Sequence, residues 1–280
     1  MNNLIQELGG NSGETLKVHF ERGVLCVEKY FYTDLQRAKK NIGKQLSFQP
    51  VLHGRSSLTA CPGEICENQD HYILRMPYID GAVAEEMALT ATPTKAKNLK
   101  KLLSKHLNES ICSAQIEEFN YELFKHKIHN VQQSSDNSFE SFFSICSDLI
   151  KRADLLDMSG PCHGDLTLAN VICESENTFY LIDFLHTFKD SPLQDLAKIS
   201  QDRRFGWSLR RRNAATRNRG MIFFRLALPD VADYVDEKMR STFEIYELLN
   251  LLRIAPYVKD ETTFRWLHEA LSKQTRELSR

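Results

Sequence analysis

The stretch His163-Gly164-Asp165-Leu166-Thr167-Leu168-Ala169-Asn170-Val171-Ile172-Cys173, followed by Tyr180-Leu181-Ile182-Asp183-Phe184, decides how this chain reads. The apolar run Asn170 to Cys173, the polar turn Glu174-Ser175-Glu176-Asn177 and the run Thr178 to Ile182 predict a β-hairpin. Pairing its two strands brings Asn170 and Asp183, at the open ends, close together. Asp165 stands five residues before Asn170 on the loop that feeds the hairpin.

Two Asp and an Asn gathered in this way suit phosphoryl transfer. A transferring γ-phosphoryl group carries negative charge that Mg²⁺ stabilises, and Mg²⁺ takes hard oxygen ligands: one or two carboxylates, an amide oxygen and phosphate oxygens. Asn170 and Asp183 supply such ligands. Asp165 is then left to orient an attacking hydroxyl and accept its proton.

The segments HGDLTLANV and LIDF resemble the catalytic loop and metal-binding segment of the aminoglycoside phosphotransferase and choline kinase-like enzymes, small-molecule relatives of the protein kinases. Protein kinases carry H-R-D-L-x-x-x-N and D-F-G at the corresponding places. Here Gly164 replaces the Arg, Leu185 follows Asp183-Phe184, and Thr167 stands where a Lys would follow the catalytic Asp. All three departures favour the small-molecule branch. The resemblance implies that His163 is structural, hydrogen-bonding backbone beside the metal-binding Asp, and that Asp195 braces the catalytic loop. A general-base role for His163 is the weaker alternative, since Asp165 already faces the hydroxyl site.

Bulk properties restrict the remaining possibilities. A chain of 280 residues with 42% hydrophobic content has room for a large core and two lobes. Its net charge of −1 names no partner. No run approaches the roughly 18 apolar residues of a membrane span, and Met1-Asn2-Asn3-Leu4 lacks the basic-then-apolar pattern of an export signal. Seven cysteines scattered among apolar neighbours fit reduced thiols, so a cytoplasmic protein is expected. Cys61, Cys66, His53 and His71 have the wrong spacing for a paired zinc knuckle.

Leu4 to Leu8 runs into Gly9-Gly10-Asn11-Ser12-Gly13, and the runs Thr15 to Phe20 and Val24 to Phe31 flank Glu21-Arg22-Gly23, a hairpin signature. Small residues let backbone N–H groups approach phosphates, so Gly10, Asn11, Ser12 and Gly13 are expected as a lid over ATP. Cys26-Val27-Glu28-Lys29 resembles the kinase V-A-I-K segment, which implies that Lys29 contacts the α- and β-phosphates. The Glu that usually pairs with this Lys is missing from the predicted helix Thr33 to Leu46, capped by Thr33. Asp34 or a Gln amide is the expected substitute, unless Lys29 is positioned differently. After a loop-rich stretch from Leu52 to Asp70, Met76-Pro77-Tyr78-Ile79-Asp80-Gly81 resembles the inter-lobe hinge, with Met76 and Tyr78 expected at the adenine edge.

Beyond Gly81 the pattern is helical: Val83 to Leu89, Thr94 to Leu107, Ile116 to Val131, Phe139 to Ala153, Val231 to Leu252 and Thr262 to Leu278. Between Arg203 and Arg225 lie eight arginines and no acid, among them Arg203, Arg204, Arg210, Arg211 and Arg212. A solvated face is the plain reading. The sharper one is a site for an anionic acceptor, since guanidinium forks match phosphate and carboxylate oxygens. Nucleic acid is not an expected partner.

The expected architecture is a two-lobed, protein-kinase-like α+β fold. Residues 1–80 form a small antiparallel-sheet nucleotide-binding lobe, and residues 81–280 a mostly helical lobe with the catalytic loop and acceptor site. The expected reaction uses ATP and Mg²⁺ to phosphorylate a hydroxyl of a small molecule, a sugar or anionic sugar derivative. A protein kinase and a catalytically silent nucleotide-binding scaffold are the rivals. The short interval from Asp183 to Asp195 speaks against the first and the full set of metal ligands against the second.

Overall fold

A computed structural model describes residues 3–9, 14–68, 70–151 and 155–278. Strands β1 (Asn3–Gly9), β2 (Thr15–Glu21) and β3 (Val24–Phe31) form an antiparallel meander. Arg22 and Gly23 have φ of 50° and 84°, the left-handed pair that a tight two-residue hairpin turn needs to match strand twist. Helix α1 (Leu35–Ser47) starts one residue later than the periodicity suggests, because the Asp34 carboxylate, rather than Thr33, accepts the Arg37 N–H at 3.2 Å.

The stretch expected to be loop-rich folds into three strands, β4 (Val51–His53), β5 (Ser56–Ala60) and β6 (Glu64–Glu67). Next comes β7 (Tyr72–Pro77), which joins β3 and β6 in a sheet of order β1-β2-β3-β7-β6. Between this sheet and α1, Phe31, Ala38, Ile42, Cys61, Leu74 and Met76 form a small core. Strands β4 and β5 go elsewhere. Their Val51, Leu58 and Ala60 are buried in the much larger core of the helical part.

After β8 (Ala82–Val83) and the short α2 (Ala84–Met87) comes the long α3 (Pro93–Ser113), with Pro93 in its first turn and Thr92 accepting the Lys95 N–H. The single helix expected from Ile116 to Val131 is a strand, β9 (Gln115–Glu118), followed by α4 (Tyr121–Gln133). β9 pairs with β10 (Leu156–Ser159), which lies beyond α5 (Glu140–Leu149).

The predicted hairpin is β11 (Val171–Cys173) and β12 (Thr178–Leu181), with Val171 opposite Leu181. β12 also pairs in parallel with β5, completing a second sheet of order β4-β5-β12-β11-β8. Helices α6 (Pro192–Phe205), α7 (Ala214–Ala227), α8 (Glu237–Leu252) and α9 (Glu261–Leu278) complete the chain. The expected register residues of α8, Met239, Phe243, Tyr246, Leu249 and Leu252, are all buried. Among the described residues no helix is long and apolar enough to cross a membrane.

The hairpin's return strand brings the chain back across the loop that precedes it. The Leu185 N–H donates to the His163 carbonyl at 2.9 Å, and Gly164 adopts φ 90° directly beneath Leu185. A Cβ at this position would overlap the Leu185 carbonyl oxygen, so both conformation and space demand glycine. Replacing Gly164 with Ala is expected to cost about 2 kcal/mol or more, read as a lowered thermal midpoint; an unchanged midpoint would contradict this close approach.

Candidate active site

The loop from His163 to Asn170 is held from below by one face of α6. The buried Asp195 carboxylate accepts the backbone N–H groups of His163 at 2.7 Å and Gly164 at 2.8 Å. Seven residues on, Asp202 accepts the Leu168 N–H at 2.7 Å. Between them, Lys198 places its ammonium 3.0 Å from Asp165 Oδ1. Positions 195, 198 and 202 share one helical face, so a single helix fixes both ends of the loop and the charge at its centre.

His163 is fully engaged by backbone. Its Nδ1 accepts the Asp165 N–H at 3.2 Å, so Nε2 carries the proton and donates to the Ile182 carbonyl at 2.9 Å. Burial pushes its pKa down. It therefore stands as a neutral strut between the loop and the segment leading to Asp183, packed on the Phe184 ring at 4.2 Å. Neither ring nitrogen is free to act as a base.

Asp165 is part-exposed. Burial raises its pKa, but the Lys198 ammonium outweighs that and holds the carboxyl below the usual Asp range, with Arg253 adding to the effect. The missing cation at Thr167 is thus replaced by one from α6. Asn170 donates its amide nitrogen to the Asp165 carbonyl at 2.8 Å and to Oδ2 at 3.1 Å, an orientation that turns the amide oxygen away from Asp165. The Ile182 N–H donates to the Asn170 carbonyl at 3.1 Å, which sets Asp183 beside Asn170 as the hairpin predicted. Asp183 has φ 59°, a left-handed conformation that Asp tolerates better than most residues. Its carboxylate is about half exposed. One carboxylate and one amide oxygen on adjoining segments are a hard-oxygen donor set of the kind that suits Mg²⁺ with phosphate oxygens completing the shell.

On the sheet side, Lys29 reaches across to Asp183 Oδ1 at 3.0 Å, with Glu14 Oε2 at 4.0 Å. Neither expected substitute partners it, because Asp34 caps α1 and Gln45 donates to the Cys61 carbonyl at 2.9 Å. Gly10, Asn11, Ser12 and Gly13 lie outside the described residues. The Tyr78 N–H donates to the Leu25 carbonyl at 2.9 Å, and Pro77 has no N–H. These two residues therefore offer no free backbone donor to an adenine edge. The Met76 side chain is buried, with its sulfur 3.3 Å from Gln45 Nε2.

Helix α1 is tied to the segment after Asp183 by Lys44, whose ammonium meets the Leu185 carbonyl and Asp190 Oδ1, both at 2.9 Å. Asn41 adds a bond from the His186 N–H at 2.6 Å. Three arginines of the run pair with acids that lie far away in sequence. Arg203 binds Asp230 at 2.7 Å, Arg204 binds Glu247 at 2.6 Å and also Glu277, and Arg211 binds Asp260 at 3.2 Å. Arg210 lies on the Trp207 ring, 3.5 Å from its centroid. These four forks are committed to protein groups, while Arg211, Arg212, Arg219 and Arg225 lie on the exposed surface. Among the described residues no group of three or more His, Cys, Asp or Glu could hold a metal ion; His71 stacks near Tyr30 and Tyr32 instead.

Burial raises the Asp190 pKa, but its bond from Lys44 prevails and leaves it lowered. A carboxyl lowered in the folded state stabilises the fold above its unfolded value and loses that contribution as pH falls through the folded value. Asp190→Asn is therefore expected to cost about 1–2 kcal/mol at neutral pH. The gap from wild type should close only below the ordinary value of 3.8. Denaturant titrations across this range check it, and a gap that is independent of pH would refute the role of this ion pair.

No family model and no curated protein matches the chain. Solved structures do. A thermostable mutant of aminoglycoside phosphotransferase APH(4)-Ia superposes with a TM-score of 0.65 at 12% identity, over 98% of this chain and 94% of that one. Spectinomycin phosphotransferase APH(9)-Ia, solved with ADP and spectinomycin, gives 0.51 at 13% identity over 98% and 92%. The GDP and kanamycin complex of APH(2")-IIIa gives 0.51 at 14% identity, again over 98% and 92%. Nearly full coverage in both directions shows that the chain has the protein-kinase-like α+β fold of the aminoglycoside phosphotransferases.

Proposed function

We propose that this protein transfers the γ-phosphoryl group of ATP to a hydroxyl of a small molecule. The observation that carries this reading is the Asp165 carboxylate, held ionised by Lys198 and oriented by Asn170 on the loop that adjoins Asp183. The solved structures with bound nucleotide and aminoglycoside support the same reaction class on this fold.

In this reading the nucleotide enters from the side of residues 1–80 and the acceptor from the side of residues 81–280. Lys29 contacts the nucleotide phosphates, and Asn170 and Asp183 would hold Mg²⁺, which supplies charge neutralisation at the phosphates. Asp165 accepts a hydrogen bond from the acceptor hydroxyl and aligns its oxygen with the γ-phosphorus. As the new oxygen–phosphorus bond forms, the bond to the β,γ-bridging oxygen breaks and ADP leaves with that electron pair. The hydroxyl proton passes to Asp165. A carboxylate held below the usual range is a weak base, which suits a loose transition state in which the proton moves late. An ATP donor and seven free thiols fit a cytoplasmic location.

Changing Asp165 to Asn should lower kcat by roughly 10²–10⁴-fold and leave ATP affinity nearly unchanged. Steady-state kinetics and nucleotide titration of the same variant test both halves. Wild-type turnover would sink the assignment of the base.

A further inference from the structure

Lys29 lacks the acid that the resemblance implies on α1. That helix contains no Asp or Glu, and Asp34 ahead of it forms the cap. A lysine that is to contact phosphates nevertheless needs a fixed place, since its stem is flexible and its ammonium is a point charge. Among the described residues two carboxylates lie within salt-bridge distance of its Nζ: Asp183 Oδ1 at 3.0 Å and Glu14 Oε2 at 4.0 Å. The adjacent Glu28 belongs to the other face of the sheet, where it accepts from Arg75 at 2.9 Å and from Tyr30 at 2.6 Å.

Strand register explains how Glu14 comes to stand there. Thr15 pairs with Tyr30 and Leu16 with Lys29, so one residue further back Glu14 falls beside Phe31. Successive residues alternate between the faces of a strand, which puts Glu14, Leu16, Lys29 and Phe31 on the same one. That face is turned to α1, since Phe31 shares the small core with Ala38 and Ile42. Lys29 extends across it, with Nζ 5.3 Å from the centre of the Phe31 ring. The Glu14 side chain is 18% exposed, and its Oε2 is shielded from solvent without accepting a hydrogen bond. Such an oxygen is costly unless a cation faces it, and the cation here is Lys29.

The two carboxylates are not equivalent. Asp183 is about half exposed and is the residue proposed above to take Mg²⁺. A carboxylate on a divalent cation has less negative charge to offer an ammonium. Glu14 has no such second task, and among the described residues Lys29 is the cation within salt-bridge distance of it.

We propose that Glu14 is the positioning residue of Lys29: from just ahead of β2 it holds the ammonium in place for the nucleotide phosphates, the task for which α1 supplies no acid. Asp183 can then turn its oxygens to a metal while Lys29 stays held. This deepens the phosphoryl-transfer reading and rests on it for the role of Lys29.

Calorimetric titration of wild type, Glu14→Gln, Lys29→Met and the double variant with ATP and Mg²⁺ tests this, with adenosine as the probe that lacks phosphates. Gln keeps the shape of the side chain, and unchanged adenosine binding in all four proteins reports an intact lobe. Glu14→Gln should weaken ATP about tenfold, a coupling of ordinary size for groups in contact. In the Lys29→Met background the same change should have no further effect, because no ammonium remains to be positioned. ATP affinity in Glu14→Gln equal to or above that of wild type would overturn the proposal, since the carboxylate would then do no more than repel the phosphates. So would a loss that persists in full in the Lys29→Met background, or one that adenosine shares. Wild-type ATP affinity in Lys29→Met would remove the Lys29 contact itself, and with it the reading on which the proposal rests. A loss in Lys29→Met without one in Glu14→Gln removes the role of Glu14 alone.

Discussion

The arrangement rests on one buried carboxylate. Asp195 is 1% exposed and accepts two consecutive backbone N–H groups, those of His163 and Gly164. A buried carboxylate without hydrogen bonds would be strongly penalised, so the helix and loop satisfy each other. With the start of the loop fixed, Asp165 follows at a defined place, and Asp202 and Lys198 on the same helical face secure the rest. The Asp165 carboxylate is thus positioned by a rigid helix although it sits on a loop.

The second constraint is the crossing of the chain over itself at Gly164. His163 supports the segment before Asp183 from one side through Ile182, and Lys44 and Asn41 of α1 hold the segment after it from the other. Asp183 sits between these supports in a left-handed conformation that its neighbours impose. Any shift of α1 therefore moves the segment that follows Asp183. In this chain the link runs through Lys44 to a backbone carbonyl and Asp190, not through an acid on α1 reaching Lys29.

The site was legible where the signal is local. The β11–β12 hairpin and the pairing of Asn170 with the approach to Asp183 follow from residues close in sequence, whereas the bracing role of Asp195, 31 and 32 residues from its partners, came from the family resemblance. The missed features share a different cause: partners far apart in the chain. Strand β9, Gln-Ile-Glu-Glu, is exposed along its length and has no strand pattern of its own; it exists because Leu156–Ser159 lies beside it. The strands hidden in residues 51–67 depend on pairing with β12 and β7. Acids 27 to 73 positions away neutralise Arg203 and Arg204, so part of a run read alone as a free cationic surface is tied into ion pairs. Lys198 had a usable signal, a Lys three residues after the bracing Asp on one helix face.

The account makes Asp183 the residue through which Mg²⁺ and nucleotide meet the protein. Calorimetric titration of ATP with and without Mg²⁺, on wild type and on Asp183→Asn, addresses that most directly. Wild type should bind ATP far more tightly with Mg²⁺, and Asp183→Asn should lose that gain while remaining folded. Equal ATP affinity with and without the metal in wild type, or an undiminished metal effect in the variant, would contradict the account.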